Sequence, residues 1–168
     1  MKCYKVVLRN NETEELQSCL GGWVPAIWRV TYTPSKWAKA PRDSGLFVFT
    51  DLEEARGFAD PHRSSVSTSP SDIELWECEC RDPMSVPKII PQPSAYRHYT
   101  EKLFQKFWKD KSYSLEVDCT RSTPKATGFF KQVKLTKQIP IREDMNPIDL
   151  LKSMCPNGIP KGALSKLT

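Results

Sequence analysis

Glycine and histidine are scarce in this chain of 168 residues, which has seven glycines and two histidines. Neither the G-x-G-x-x-G nor the G-x-x-x-x-G-K-[ST] pattern occurs, so we expect no glycine-rich loop of the kind that cradles nucleotide phosphates. No G-x-S-x-G elbow occurs, and neither histidine has the spacing to a cysteine that a metal site needs. We therefore predict no catalytic residues, no metal and no bound cofactor. The missing motifs leave open whether the chain catalyses a reaction.

Long apolar runs are also missing. No segment approaches the ~20 apolar residues of a membrane-spanning helix, and the first ten residues, MKCYKVVLRN, become charged too early for a secretory signal peptide. The six cysteines include no C-x-x-C pair, and several lie in strand-like runs where a reduced thiol packs as a small hydrophobic group. These absences predict a cytoplasmic protein, in the host cell if the chain is viral, with no membrane partner.

The chain does carry the patterning of an α+β domain, with 39% hydrophobic and 27% charged residues. The predicted fold has a mixed or antiparallel sheet, a short helix over about 51–59, a longer amphipathic helix over about 95–109 and a short C-terminal helix. We divide the chain into a mixed α/β half over 1–80, a proline-rich connector over 81–94 and a basic half over 95–168. The two halves are predicted to pack as one domain.

Local patterns place these elements. Runs rich in β-branched and aromatic residues predict strands at 3–9, 26–33, 45–49, 73–80, 112–120 and 128–136. A capping box with Thr50 as the N-cap and Glu53 three residues later begins the helix over 51–59. Trp37 lies in a stretch bounded by prolines, which predicts a loop. Asn146 followed by a proline begins the C-terminal helix.

Charge is distributed unevenly along the chain, whose formal net charge is +5. Residues 1–80 carry 9 Lys and Arg and 12 Asp and Glu, a net of −3, whereas residues 81–168 carry 16 and 8, a net of +8. A basic half attracts nucleic acid or acidic proteins, although a solvated surface with no partner explains the same numbers. The predicted contact residues are basic groups near aromatic ones: His98, Lys102, Lys106, Lys109, Lys125, Lys131 and Lys134.

Our first functional hypothesis follows from this charge asymmetry and from the missing catalytic motifs. The chain is predicted to be a non-enzymatic intracellular binding protein, whose basic half contacts nucleic acid or an acidic host protein. The sequence does not specify an oligomeric state.

A second hypothesis comes from an ordered set of polar residues, which are Arg9, Ser67, Thr68, Ser69, Glu77 and Glu79. This order resembles the ADP-ribosyltransferases of the Arg/Ser-Thr-Ser/Glu type. The resemblance implies an NAD- or nucleotide-binding site whose groups bind the phosphates, shape the nicotinamide pocket and stabilise an oxocarbenium-like transition state. From the residues alone, an alternative is a strand with the two glutamates facing solvent and Trp76, Cys78 and Cys80 facing inward.

A third pattern extends over residues 3–80 and includes the run YKVV, the run GLFVF with the helix after it, and the strand WECE. This pattern is similar to small phage and bacterial domains of unknown function. The similarity implies an accessory protein of a virus or mobile element. Such a protein would act by binding a host factor or by trapping a small nucleotide signal.

Overall fold

A computed structural model of the chain describes residues 2–19, 25–60, 72–91, 101–109 and 120–142. Within these ranges the chain forms nine β-strands and two α-helices. The fold is therefore mostly β, built around a small barrel, and the predicted α+β class with three helices is wrong. The strands are β1 (Cys3–Arg9), β2 (Leu16–Ser18), β3 (Thr31–Tyr32), β4 (Trp37–Lys39), β5 (Leu46–Phe49), β6 (Ile73–Pro83), β7 (Ile89–Pro91), β8 (Thr120–Ser122) and β9 (Thr127–Ile139), and the helices are α1 (Leu52–Ala59) and α2 (Glu101–Lys109).

Four of the strands close on one another. Strand β1 pairs antiparallel with β6, β6 pairs with β9, and β9 pairs with β5. The circuit returns to β1 through one residue pair, Tyr4 opposite Phe49. Strands β2 and β3 extend the sheet outward from β1, and β4 pairs with Gln132, Val133 and Lys134 in the middle of β9. The four-stranded circuit is a small barrel with one short seam, the β1–β5 seam.

Strands β6 and β9 are longer than the strands predicted over 73–80 and 128–136. Strands β6 and β9 have 11 and 13 residues, and their register shifts between Glu77 and Cys78. An irregularity of this kind lets a long strand coil around a barrel. Strand β6 runs on to Pro83, a position at the strand end where a proline is tolerated. Apolar residues from β1, β6 and β9 fill the interior, with Val7, Val133 and Leu135 fully buried.

Two local predictions fail between β2 and β5. The run 26–33, predicted as one strand, forms a 3-10 turn over Ala26–Trp28 and the two-residue strand β3. The turn places Trp28 in the core. The predicted loop around Trp37 is instead strand β4, because residues of β9 distant in sequence offer it a pairing edge.

Helix α1 begins one residue later than the predicted capping box. Asp51 is the N-cap, and its carboxylate accepts a hydrogen bond from the Glu54 N–H at 2.9 Å. Thr50 does not cap the helix, since its N–H and hydroxyl both donate to the carbonyl of Ala126. The helix predicted over about 51–59 is otherwise confirmed, and it ends at Asp60.

Helix α2 covers the outer face of the barrel. Its apolar side buries Phe104, Phe107 and Trp108 against Trp28 and Phe129, so the predicted amphipathic helix is confirmed over Glu101–Lys109. The beginning of that prediction, residues 112–119 of the strand predicted over 112–120, and the predicted C-terminal helix lie outside the described residues. Thr120, the last residue of that predicted strand, is the first residue of β8. None of the described helices is long and apolar enough to cross a membrane.

Candidate functional site

The predicted cationic residues of α2 are exposed on one side of the helix. Lys102, Lys106 and Lys109 stand at spacings of four and three residues, so they share a face. The opposite side carries the buried rings of Phe104 and Phe107. His98 lies outside the described residues.

The remaining predicted cations belong to the β8–β9 region, and two of them already have partners. Lys131 Nζ donates to the carbonyls of Arg42 and Ser44 at 3.0 and 2.8 Å. Lys134 Nζ lies 2.8 Å from a carboxylate oxygen of Glu79. Lys125 is exposed in the turn before β9. Residues of the first half therefore engage the ammonium groups of Lys131 and Lys134.

The residues that resemble a transferase site are separated along the strands. Arg9 Nε donates to Glu74 Oε1 at 2.6 Å, and Trp76 Nε1 donates to the other oxygen of the same buried carboxylate at 2.8 Å. Glu77 is in register with Tyr4, about 16 Å along β1 from Arg9 at the usual rise per strand residue.

Glu79 instead pairs with Lys134. The described residues thus do not bring Arg9 together with Glu77 and Glu79, and Ser67, Thr68 and Ser69 lie outside the described residues. The alternative interpretation of this strand agrees with the structure at Trp76 and Cys78, which are buried, and at Glu79, which is exposed, whereas Glu77 and Cys80 are half-buried.

Among the described residues, the thiols of Cys3, Cys19 and Cys78 are buried and that of Cys80 is half-buried. Burial raises the pKa of Cys3 and of Cys19 to about 12. A hydrogen bond with Cys78, together with burial, raises the pKa of Cys80, and the two sulfur atoms are 3.9 Å apart. A thiol with a raised pKa remains protonated near neutral pH. Among the described residues, no three metal-ligating side chains converge on one point.

A crevice of about 140 Å³ opens beside the short β1–β5 seam. The two strands share one residue pair, so they part beyond it and leave side chains of both strands facing a gap. Strand β1 contributes Lys5 and strand β5 contributes Phe47 to the lining of this gap. The rings of Trp28, Phe104 and Trp108 also line it. We call this space the seam crevice.

Lys5 supplies the main polar group of the seam crevice. It alternates with Cys3 and Val7 on β1, and both of these are buried, so its side chain enters the barrel. Its exposed fraction is only 7%. The ammonium nitrogen donates to the Phe47 carbonyl at 2.6 Å and lies 5.5 Å from the centre of the Tyr32 ring. No carboxylate of a described residue lies within ion-pair distance of it.

Two tryptophans of the crevice wall bury indole N–H groups that have no acceptor. Nε1 of Trp28 and Nε1 of Trp108 are both buried and make no hydrogen bond. The rings are held by aromatic packing, with centroids 6.5 Å apart from each other, and Trp108 stacks on Phe129 at 5.6 Å. The two tryptophans therefore contribute apolar ring surface to the wall of the seam crevice, while their N–H groups are buried in the packing around it.

Local sequence patterns did not predict this site, although one signal for it was present. Lys5 occupies an inward position of the first predicted strand, between Cys3 and Val7, and a lysine there is seldom buried without a partner. The contributions of Trp28 and Trp108 had no local signal, because their positions depend on how the turn over Ala26–Trp28 and helix α2 pack on the barrel. Comparisons with protein-family models, with curated proteins and with solved structures return no significant match. Both resemblances noted in the sequence stay predictions.

Proposed function

We propose that this protein binds a small, planar, largely apolar molecule in the seam crevice. The observation that carries the proposal is an apolar crevice lined by the aromatic side chains of Trp28, Phe104 and Trp108, with the buried Lys5 ammonium as its main polar group. The Lys5 ammonium has three N–H groups, and the Phe47 carbonyl is the one acceptor that the described residues supply to it. A ligand with a hydrogen-bond acceptor can therefore bond to Lys5, whereas a wholly apolar ligand cannot.

The size of the crevice limits the ligand. Its volume is about 140 Å³, close to the roughly 150 Å³ of a protein cavity that accommodates benzene. Because the seam crevice is open on one side, a second ring or a short substituent can extend towards solvent. The ligand class is therefore a molecule with one or two aromatic rings and an acceptor group.

Aromatic walls favour such a ligand over an aliphatic chain. Ring pairs are stabilised in offset or tilted arrangements with centroids about 4.5–7 Å apart. Phe47, Phe104 and Trp108 already make contacts of this kind at 6.2 and 6.3 Å. A planar ligand extends the same packing, and this interpretation keeps the predicted class of a binding protein while changing the kind of partner.

The test is a titration observed on the indole N–H signals of the protein. The chain has five tryptophans, whose signals in a ¹⁵N-labelled sample are assigned with single Trp→Phe variants. The probes are 2-naphthoate and 2-acetylnaphthalene, two planar bicyclic molecules with carbonyl acceptors. We expect the Trp28 and Trp108 signals to shift, and the signals of Trp76, which is bonded to Glu74, and of Trp37 to stay in place.

A matched pair of variants provides the control. Val30 is half-buried at the edge of the crevice, so V30F fills the space and is expected to abolish the shifts. Val86 is exposed (43%) and does not line the crevice, so V86F is expected to leave the shifts unchanged. If neither probe moves the Trp28 or Trp108 signal, or if all five signals move alike, the proposal is wrong.

A second candidate function, binding of nucleic acid or of an acidic protein, is favoured by one observation. Lys102, Lys106 and Lys109 form an exposed row on the face of α2 opposite its buried side. Their charges suit an extended polyanion, for which binding weakens steeply as salt increases.

A further inference from the structure

The polar wall of the seam crevice has more hydrogen-bond donors than acceptors to receive them. A lysine ammonium has three N–H groups, and for Lys5 the Phe47 carbonyl is the one acceptor that the described residues supply. Ser18 also lines the crevice, and its hydroxyl is 3.1 Å from the Tyr32 hydroxyl. The Lys5 ammonium and the Ser18 hydroxyl both line the crevice and both lie close to the Tyr32 side chain.

A negatively charged partner would offset the cost of burying the Lys5 ammonium. A charged group taken out of water is costly unless another charge and further hydrogen bonds compensate it. The Phe47 carbonyl and the Tyr32 ring compensate Lys5 in part, and neither carries a formal charge. Other charged residues of the barrel differ, since Glu74 has Arg9 and Glu79 has Lys134.

We propose that the ligand of the seam crevice is an aromatic anion, whose carboxylate or similarly compact anionic group pairs with Lys5 Nζ while its ring packs among Trp28, Phe104 and Trp108. This inference rests on the proposed function, since it names the chemical class of ligand for the same crevice. The Ser18 hydroxyl supplies a second donor to the anionic group. The resulting arrangement is a charge-assisted hydrogen bond in an apolar surrounding, which is stronger than a bond between neutral groups.

A purely structural role for Lys5 makes a different prediction. In that case the side chain serves only to bond the Phe47 carbonyl across the parted seam. Removing the charge would then lower the stability of the protein without changing the relative affinity for charged and neutral ligands. The ratio of two affinities separates the roles, because a general loss of stability affects both ligands alike.

The experiment compares dissociation constants for 2-naphthoate and 2-acetylnaphthalene, measured by calorimetry. These probes have nearly the same shape, and they differ in that a carboxylate oxygen replaces a methyl group. In the unmodified protein we expect 2-naphthoate to bind about ten- to a hundred-fold more tightly. We expect the ratio to fall close to one in K5M, which retains an unbranched apolar side chain.

Lys102→Met is the matched control, because it removes an exposed lysine from α2 and is expected to leave the ratio unchanged. The comparison of the two probes on the unmodified protein stands even if K5M fails to fold. Equal binding of both probes overturns the anion assignment and leaves the proposed function intact. Failure of both probes to bind overturns the two proposals together. A preference for 2-naphthoate that persists in K5M and disappears in K102M places the anion on α2 and also overturns the assignment.

Discussion

The barrel has two contrasting joins between its strands. Strands β6 and β9 share eight residue pairs, from Leu75 opposite Ile139 to Pro83 opposite Phe130, with a register shift between Glu77 and Cys78. Strands β1 and β5 meet at Tyr4 and Phe49 alone. The first join is a long ladder of backbone hydrogen bonds, and the second leaves a gap that side chains must fill. Within one small barrel, the β6–β9 join provides stability and the β1–β5 seam provides a concave site.

The charged side chains differ between the two joins in the same way. Across β6 and β9, Glu79 and Lys134 form a surface ion pair at 2.8 Å, and the Arg81 guanidinium lies 4.1 Å from the centre of the Trp37 ring. At the β1–β5 seam, Lys5 is buried and bonded to a carbonyl. An exposed ion pair contributes little to stability. A buried charge without an ionic partner is costly, and a ligand of opposite charge can offset that cost.

The largest effect is expected from replacing one valine with alanine near each join, which deletes two methyl groups in each case. Val133 is fully buried on β9 opposite Cys80, and Val30 is half-buried at the edge of the seam crevice. We expect V133A to lower the free energy of unfolding by about 2–3 kcal/mol, because it leaves a cavity in a packed interior. V30A should cost about 1 kcal/mol or less. Urea denaturation measures both, and equal losses would remove the distinction between the joins.

An effect of intermediate size comes from two glycines that differ in the space around them. A Cβ atom on Gly45 would lie 2.2–2.7 Å from ring atoms of Phe129, the ring on which Trp108 stacks. We expect G45A to cost about 1–3 kcal/mol by overpacking and to weaken binding of 2-acetylnaphthalene in the crevice.

The control is G57A in helix α1, where a Cβ atom would meet nothing within 4 Å. Alanine is the better helix former, so G57A should raise stability by about 0.5–1 kcal/mol with no change in probe binding. Thermal denaturation and the indole titration give the two readouts. If G45A and G57A changed the free energy of unfolding in the same direction, the packing described for Gly45 would be contradicted.

The smallest effect on stability is expected at the exposed lysines. The triple charge reversal K102E, K106E and K109E should change the free energy of unfolding by about 0.5 kcal/mol or less per site. If α2 binds a polyanion, the same variant lowers affinity for a fluorescent DNA oligonucleotide at least about ten-fold, and the loss increases as salt is reduced. Affinity unchanged by the triple reversal would exclude α2 as the contact surface. The seam crevice should bind its probes normally in this variant.

Much of the barrel could be predicted from local pattern. Strands β1, β5, β6 and β9 and helix α1 follow from runs of β-branched and aromatic residues and from helical spacing. The predicted role of the cysteines as small buried groups is confirmed for Cys3, Cys19 and Cys78. The candidate site could not be predicted in this way, since Lys5, Trp28 and Trp108 are far apart in the chain.

Sequence alone therefore determined that the segments of β1, β5, β6 and β9 are extended and that α1 is helical, because alternation and spacing are properties of neighbouring residues. Tertiary structure decided that β9 joins β4, β5 and β6, that α2 covers the crevice, and that Lys5 is buried. These outcomes depend on the register between paired residues that are 45 to 97 positions apart in the chain. Register is set by closing the barrel as a whole, and no local pattern contains it.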